Sequence, residues 1–98
     1  AFTEDAVYHN IPVDPVVGRD AIRGAIETFT TGWDRVDFEI LHVVAQGQLV
    51  MTERVDHFVS SERTVSLPVM GVFELEGDRI KAWRDYFDIN QFMSQLTD

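Results

Sequence analysis

The stretch MTERVDHF, residues 51–58, alternates side chains with the two-residue period of a half-buried β-strand, yet it carries an arginine and two acids. Alternation puts Thr52, Arg54, Asp56 and Phe58 on one face and Glu53, Val55 and His57 on the other. One face of this strand therefore holds a charge pair.

Around this strand the chain reads as a short series of elements. Residues 6–12 have strand character and run into a turn-forming segment, DPVVG, at 14–18. From Arg19 onward, Ile22, Ala25, Ile26, Phe29 and Trp33 recur at helical spacing, with Asp20 in the first turn and Gly32 near the end. Four strand-like runs follow, at about 35–46, 48–59, 64–76 and 79–87, separated by the turn signals QGQ, SSER and EGD. Such short turns join antiparallel neighbours. Asp88 then begins a terminal helix as a capping residue, with Gln91 three positions on and Ile89, Phe92, Met93 and Leu96 as its apolar positions. A strand, a helix, an antiparallel meander and a last helix predict an α+β domain over residues 1–98. Its curved sheet should wrap a helix or a pocket.

Composition narrows the function classes. With 98 residues and 45 % hydrophobic content, the chain is long enough for one core that buries roughly 60 % of the unfolded-chain surface. Seventeen acids against eight bases give a net charge of −9, a field that repels phosphate backbones and anionic lipid, so no nucleic acid or membrane partner is expected. The absence of cysteine excludes disulfides, thiolate nucleophiles and cysteine-ligated zinc. No apolar run approaches the roughly 18 residues of a membrane-spanning helix. The opening AFTEDAVYHN also lacks the basic and apolar regions of a secretory signal, so a cytoplasmic protein is the expectation. His9, His42 and His57 do not share ligand spacing, and no metal or cofactor is expected. Neither a G-x-S-x-G elbow nor a phosphate-cradling glycine loop is present.

Two further stretches repeat the theme of polar groups on strand faces. In WRDYFD, Trp83, Asp85 and Phe87 share a side, placing a carboxylate between two large aromatics. In YHN, Tyr8 and Asn10 point the same way. Taken singly, each has a plainer reading. Arg54 and Asp56 can form a partly exposed ion pair, Asp85 can cap a turn or pair with Arg84, and Tyr8 and Asn10 can satisfy backbone groups.

Together, YHNIP (8–12), VGRDAI (17–22), TERVD (52–56), MGVFEL (70–75) and WRDYFD (83–88) resemble, in order, the limonene-1,2-epoxide hydrolase family. That family lies within the cone-shaped NTF2-like and SnoaL-like superfamily, which also contains ketosteroid isomerases and polyketide cyclases. The resemblance implies a curved mixed, mainly antiparallel sheet forming a cone around a pocket, and a catalytic set of Asp85, Asp56, Arg54, Tyr8 and Asn10. It assigns Asp85 as the base, Tyr8 and Asn10 as holders of the attacking water, protonated Asp56 as the acid, and Arg54 as the group between the acids. The expected reaction opens a small lipophilic epoxide with water to a vicinal diol, without a covalent intermediate. Val36, Phe38, Leu67, Val69, Phe73, Trp83 and Phe87 are the expected substrate-binding wall.

The resemblance also implies a homodimer formed through the open sheet face. Relatives carry a leading helical segment that helps cover the cavity. This chain starts almost at the Y-x-N strand, so a shortened N-terminus and a more open cavity are expected. An isomerase or cyclase of the same superfamily, or a non-catalytic small-molecule binding module, is the alternative.

Overall fold

A computed structural model describes residues 1–96. Its elements are β1 (Phe2–Asn10), β2 (Val16–Val17), α1 (Arg19–Thr30), β3 (Arg35–Gln46), β4 (Leu49–Val59), β5 (Thr64–Glu76), β6 (Arg79–Tyr86) and α2 (Ile89–Met93). The strands form one curved mixed sheet in the order β2-β1-β6-β5-β4-β3. Strands β3 to β6 make an antiparallel meander, whereas β1 lies parallel to β6. The α+β class and the helix positions match the sequence reading.

Several boundaries differ from it. The first strand covers Phe2–Asn10, not 6–12, because Pro12 has no N–H for a ladder and Ile11 and Pro12 turn the chain away. Val16 and Val17, inside the expected turn, pair with Tyr8 and Val7 as a two-residue edge strand. Helix α1 stops at Thr30, short of Trp33, since Thr31 is extended and Gly32 adopts φ +89°. The last helix is one short turn, ending at Met93 and not reaching Leu96, with Asp88 Oδ1 accepting from the Asn90 N–H at 2.9 Å.

Helix α1 packs against β1 and β2, and the buried residues fall into two clusters. In one, Ala6, Tyr8 and Ile22 are buried with Phe2, Val16, Ile26 and Trp83 around them. In the other, Phe58, Val65, Leu67 and Val69 pack with Trp33, Val36, Phe87, Phe92 and Leu96. Phe58 sits among the rings of Phe29, Trp33 and Phe92 at centroid distances of 5.1, 5.6 and 5.3 Å, an edge-on cluster that anchors both helices to β4.

Candidate active site

The alternation of β4 resolves inward as Thr52, Arg54, Asp56 and Phe58, all buried. Arg54 is 2 % exposed, Asp56 5 % and Asp85 4 %, which removes the reading of a solvent-screened surface pair. Arg54 Nε donates to Asp56 Oδ1 at 2.7 Å and Nη2 donates to Asp56 Oδ2 at 3.1 Å. The same Nη2 donates to Asp85 Oδ2 at 2.6 Å, so one guanidinium nitrogen holds both carboxylates. Nη1 lies 3.4 Å from Thr52 Oγ1, and the guanidinium carbon sits 4.8 Å from the centre of the Phe38 ring. Among the described residues, no buried side-chain N or O is left unpartnered.

Asp56 and Asp85 come from strands that are not neighbours, and register explains how they meet. Asn10, Asp85, Gly71 and Thr52 stand side by side across β1, β6, β5 and β4. The span from β4 to β6 is two strand spacings, roughly 10 Å. Arginine can cross it only if the residue on β5 leaves room, and that residue is Gly71. A Cβ there would collide with Arg54 Nη1 and stand 2.8 Å from Thr52 Oγ1 and 2.9 Å from Asp85 Oδ1. Gly71 was not singled out as a site residue from the sequence, because its importance depends on what its neighbours on both sides are.

Burial pushes the Asp56 carboxyl above its usual range, and the neighbouring Asp85 charge adds to this, while the hydrogen bonds and charge of Arg54 oppose it. Burial also works against the Arg54 cation. The bonds it donates to Asp56 and Asp85 outweigh that effect and hold the guanidinium above its ordinary pKa. Tyr8 is raised chiefly by burial, against a hydrogen bond with Asn10, and is therefore a neutral phenol at physiological pH. The fork from Arg54 onto Asp56 suits the ionised acid, in tension with the upward shift. The upward direction prevails, because two carboxylates and one cation buried together leave a surplus negative charge that one proton removes.

These groups open on a cavity with an empty volume of about 510 Å³, its mouth included. Asp56, Asp85, Tyr8 and Asn10 line it together with Val36, Phe38, Leu67, Val69, Trp83 and Phe87. One residue from the expected wall is elsewhere: Phe73 stacks on Trp83 at 5.1 Å, behind the lining. Its strand phase is inward, but Trp83 on the next strand stands between it and the cavity. Ile26, Phe29 and Thr30 of α1 complete the wall and were not assigned to it from sequence, although Ile26, Phe29 and Thr30 share a helical face at i, i+3 and i+4 spacing.

A cone-like α+β sheet with a buried acid pair bridged by arginine at the floor of an apolar cavity defines a small pocket-bearing domain. The chain belongs to the limonene-1,2-epoxide hydrolase family, whose model, "Limonene-1,2-epoxide hydrolase catalytic domain", matches residues 1–98. Epoxide hydrolase EphG of Mycobacterium tuberculosis is 40 % identical over 101 residues, covering 98 % of this chain. The chain spans 64 % of the length of that relative. A solved LEH-like epoxide hydrolase from M. tuberculosis superposes with a TM-score of 0.79 at 33 % identity, covering 98 % of this chain and 71 % of that one. A solved SnoaL-like structure from Shewanella putrefaciens superposes with a TM-score of 0.86, covering 97 % of this chain and 78 % of that one. At 21 % identity the second likeness is one of fold alone.

Proposed function

We propose that this chain hydrolyses small lipophilic epoxides to vicinal diols in one step, with Asp85 as general base and Asp56 as general acid. The observation that carries this reading is the single Nη2 of Arg54 bonded to the Oδ2 atoms of both acids, buried beside an apolar cavity. Epoxide opening by water needs a base for a weak nucleophile and an acid for a strongly basic leaving oxygen. The Arg54 bridge lets one proton be shared unequally, so that both forms are present at once.

In this scheme Tyr8 and Asn10 hold the water, and Asp85 takes one of its protons as the oxygen attacks an epoxide carbon. Asp56 gives its proton to the epoxide oxygen as the C–O bond breaks. We assign that proton to Asp56 Oδ2, the oxygen with the longer bond from Arg54. The product is a diol, and the proton left on Asp85 returns to Asp56, which is held on the same Arg54 Nη2. Each proton transfer contributes about 10²–10⁴ in rate, and confinement of water and epoxide adds an entropic advantage.

The apolar wall suits a compact hydrocarbon epoxide such as a cyclic terpenoid one. No cofactor enters the scheme. A cytoplasmic location and a homodimer belong to the same reading. For the dimer, the outer sheet face offers exposed Val44, Met51, Met70 and Tyr86, a surface of the kind that associates. Among the described residues no helix is long and apolar enough to cross a membrane.

The test is a panel of terpene and meso epoxides offered to the wild-type chain, Asp56→Asn and Asp85→Asn, with diol formation followed by mass spectrometry. The wild-type chain should form diol and both variants should lose it. Hydrolysis that survives both substitutions refutes the assignment.

A further inference from the structure

The two carboxylates are held differently. Asp56 receives its side-chain bonds from Arg54, as a fork. Asp85 is gripped from two sides: Arg54 Nη2 bonds Oδ2 at 2.6 Å, and the indole Nε1–H of Trp83 bonds Oδ1 at 2.7 Å. We propose that Trp83 is a positioning residue, whose N–H fixes the Asp85 carboxylate in the rotation that proton abstraction requires. This rests on the hydrolase reading above and adds a second role to a residue whose ring also forms cavity wall.

Chemistry and packing support the assignment. An indole N–H donates and cannot accept, so it favours the charged carboxylate and takes no part in proton exchange. Two donors on different oxygens also fix rotation of the carboxylate about its Cβ–Cγ bond. The donor itself is immobilised. Trp83 is flanked in register by Tyr8 on β1 and Phe73 on β5, with ring centroids 4.7 and 5.1 Å away, and Phe2 stacks at 6.3 Å. Phe73 acts here as the backing of Trp83. The charged and titratable groups facing Asp85 are Arg54 and Asp56 from β4 and Tyr8 from β1, whereas β5 presents Gly71 and α1 presents Ile26, Phe29 and Thr30 to the same cavity.

The decisive variant replaces Trp83 with 3-benzothienylalanine, which keeps the bicyclic shape and exchanges N–H for sulfur. With an epoxide that the wild-type chain turns over, kcat should fall about tenfold to hundredfold, the range for losing a hydrogen bond to a charged group, with KM nearly unchanged. The acid limb of the pH–rate profile should move upward, because a donor to the carboxylate is lost. Trp83→Phe should act in the same direction.

A second readout needs no turnover. Of the two tryptophan indole N–H signals in a ¹⁵N–¹H spectrum, that of Trp83, identified by its loss in Trp83→Phe, should lie downfield. It should shift as the wild-type site titrates and return to an ordinary position in Asp85→Ala. A benzothienyl variant with wild-type kcat and an unmoved acid limb overturns the proposal, as does an indole signal indifferent to both titration and Asp85→Ala. Lack of any epoxide turnover by the wild-type chain counts against the hydrolase reading instead, and the spectrum still tests the bond.

Discussion

The tripeptide Arg-Val-Asp occurs twice, at 35–37 on β3 and at 54–56 on β4. Each copy forms an ion pair from Nε to carboxylate, at 2.8 Å for Arg35–Asp37 and 2.7 Å for Arg54–Asp56. Their surroundings are opposite. The side chains of Arg35 and Asp37 are 64 % and 54 % exposed, on the outer face where Asp37 stands opposite His57. Arg54 and Asp56 face inward beneath an apolar cavity, and a second acid, Asp85, completes them. Identical local chemistry is thus a solvated surface pair in one strand phase and a candidate acid–base site in the other. Phase, burial and the third partner make the difference.

That contrast can be broken most visibly in activity. Asp56→Asn and Asp85→Asn should each lower kcat for epoxide hydrolysis by at least about 10²-fold, the scale of a lost proton transfer, whereas Asp37→Asn should change it less than twofold. Steady-state assays on the three variants measure this.

Stability gives the next largest effect. Arg54→Met strands two buried carboxylates and should destabilise the chain by about 3–5 kcal/mol in urea unfolding at pH 8, with loss of activity. Arg35→Met should stay within about 1 kcal/mol, because its pair is screened by solvent.

Gly71→Ala sharpens the geometric side of the comparison. Its methyl group must displace Arg54, Thr52 or Asp85, so a loss of about 1–3 kcal/mol is expected together with a marked fall in kcat. Gly24→Ala, in the exposed interior of α1 with no atom nearby, should raise stability by about 0.5–1 kcal/mol and spare activity. Thermal melts and rates on the two alanine variants distinguish a required gap from an incidental glycine.

The smallest effect is a pH slope. The Asp56 pKa is raised in the folded state, so between its ordinary value near 3.8 and the raised one the native chain holds more protons than the unfolded chain. Its contribution is therefore fully present below the ordinary value and is lost as pH rises through the folded one. Asp56→Asn should flatten that part of the stability–pH curve. The same slope persisting in the variant would show that Asp56 is not its source.

How much of this was legible in the sequence follows the range of the interactions. The β4 phase, the Arg54–Asp56 pair on one face and the capping Asp88 are local, period-two or single-turn signals, and the sequence read them directly. The parallel pairing of β1 with β6 joins the two ends of the chain and leaves no local mark. Val16 and Val17 are too few to show a strand period, so they read as turn. Gly71 looked like any strand glycine until register set it between Thr52 and Asp85. Phe73 had the inward phase of a wall residue, but phase does not tell which of two facing aromatics stands in front. The family resemblance gathers the acids, Tyr8 and Asn10 into one proposed site, whereas the hydrogen bond from Trp83 to Asp85 depends on the rotation of the indole, which no residue spacing encodes.

The central claim is direct attack of water activated by Asp85 with Asp56 as acid, and single-turnover hydrolysis in H₂¹⁸O with enzyme in excess tests it most directly. One ¹⁸O atom should appear in the diol and none in the protein after peptide mass analysis. Label in the carboxyl of Asp85 or Asp56 would reveal an ester intermediate and contradict the account, as would the absence of any diol.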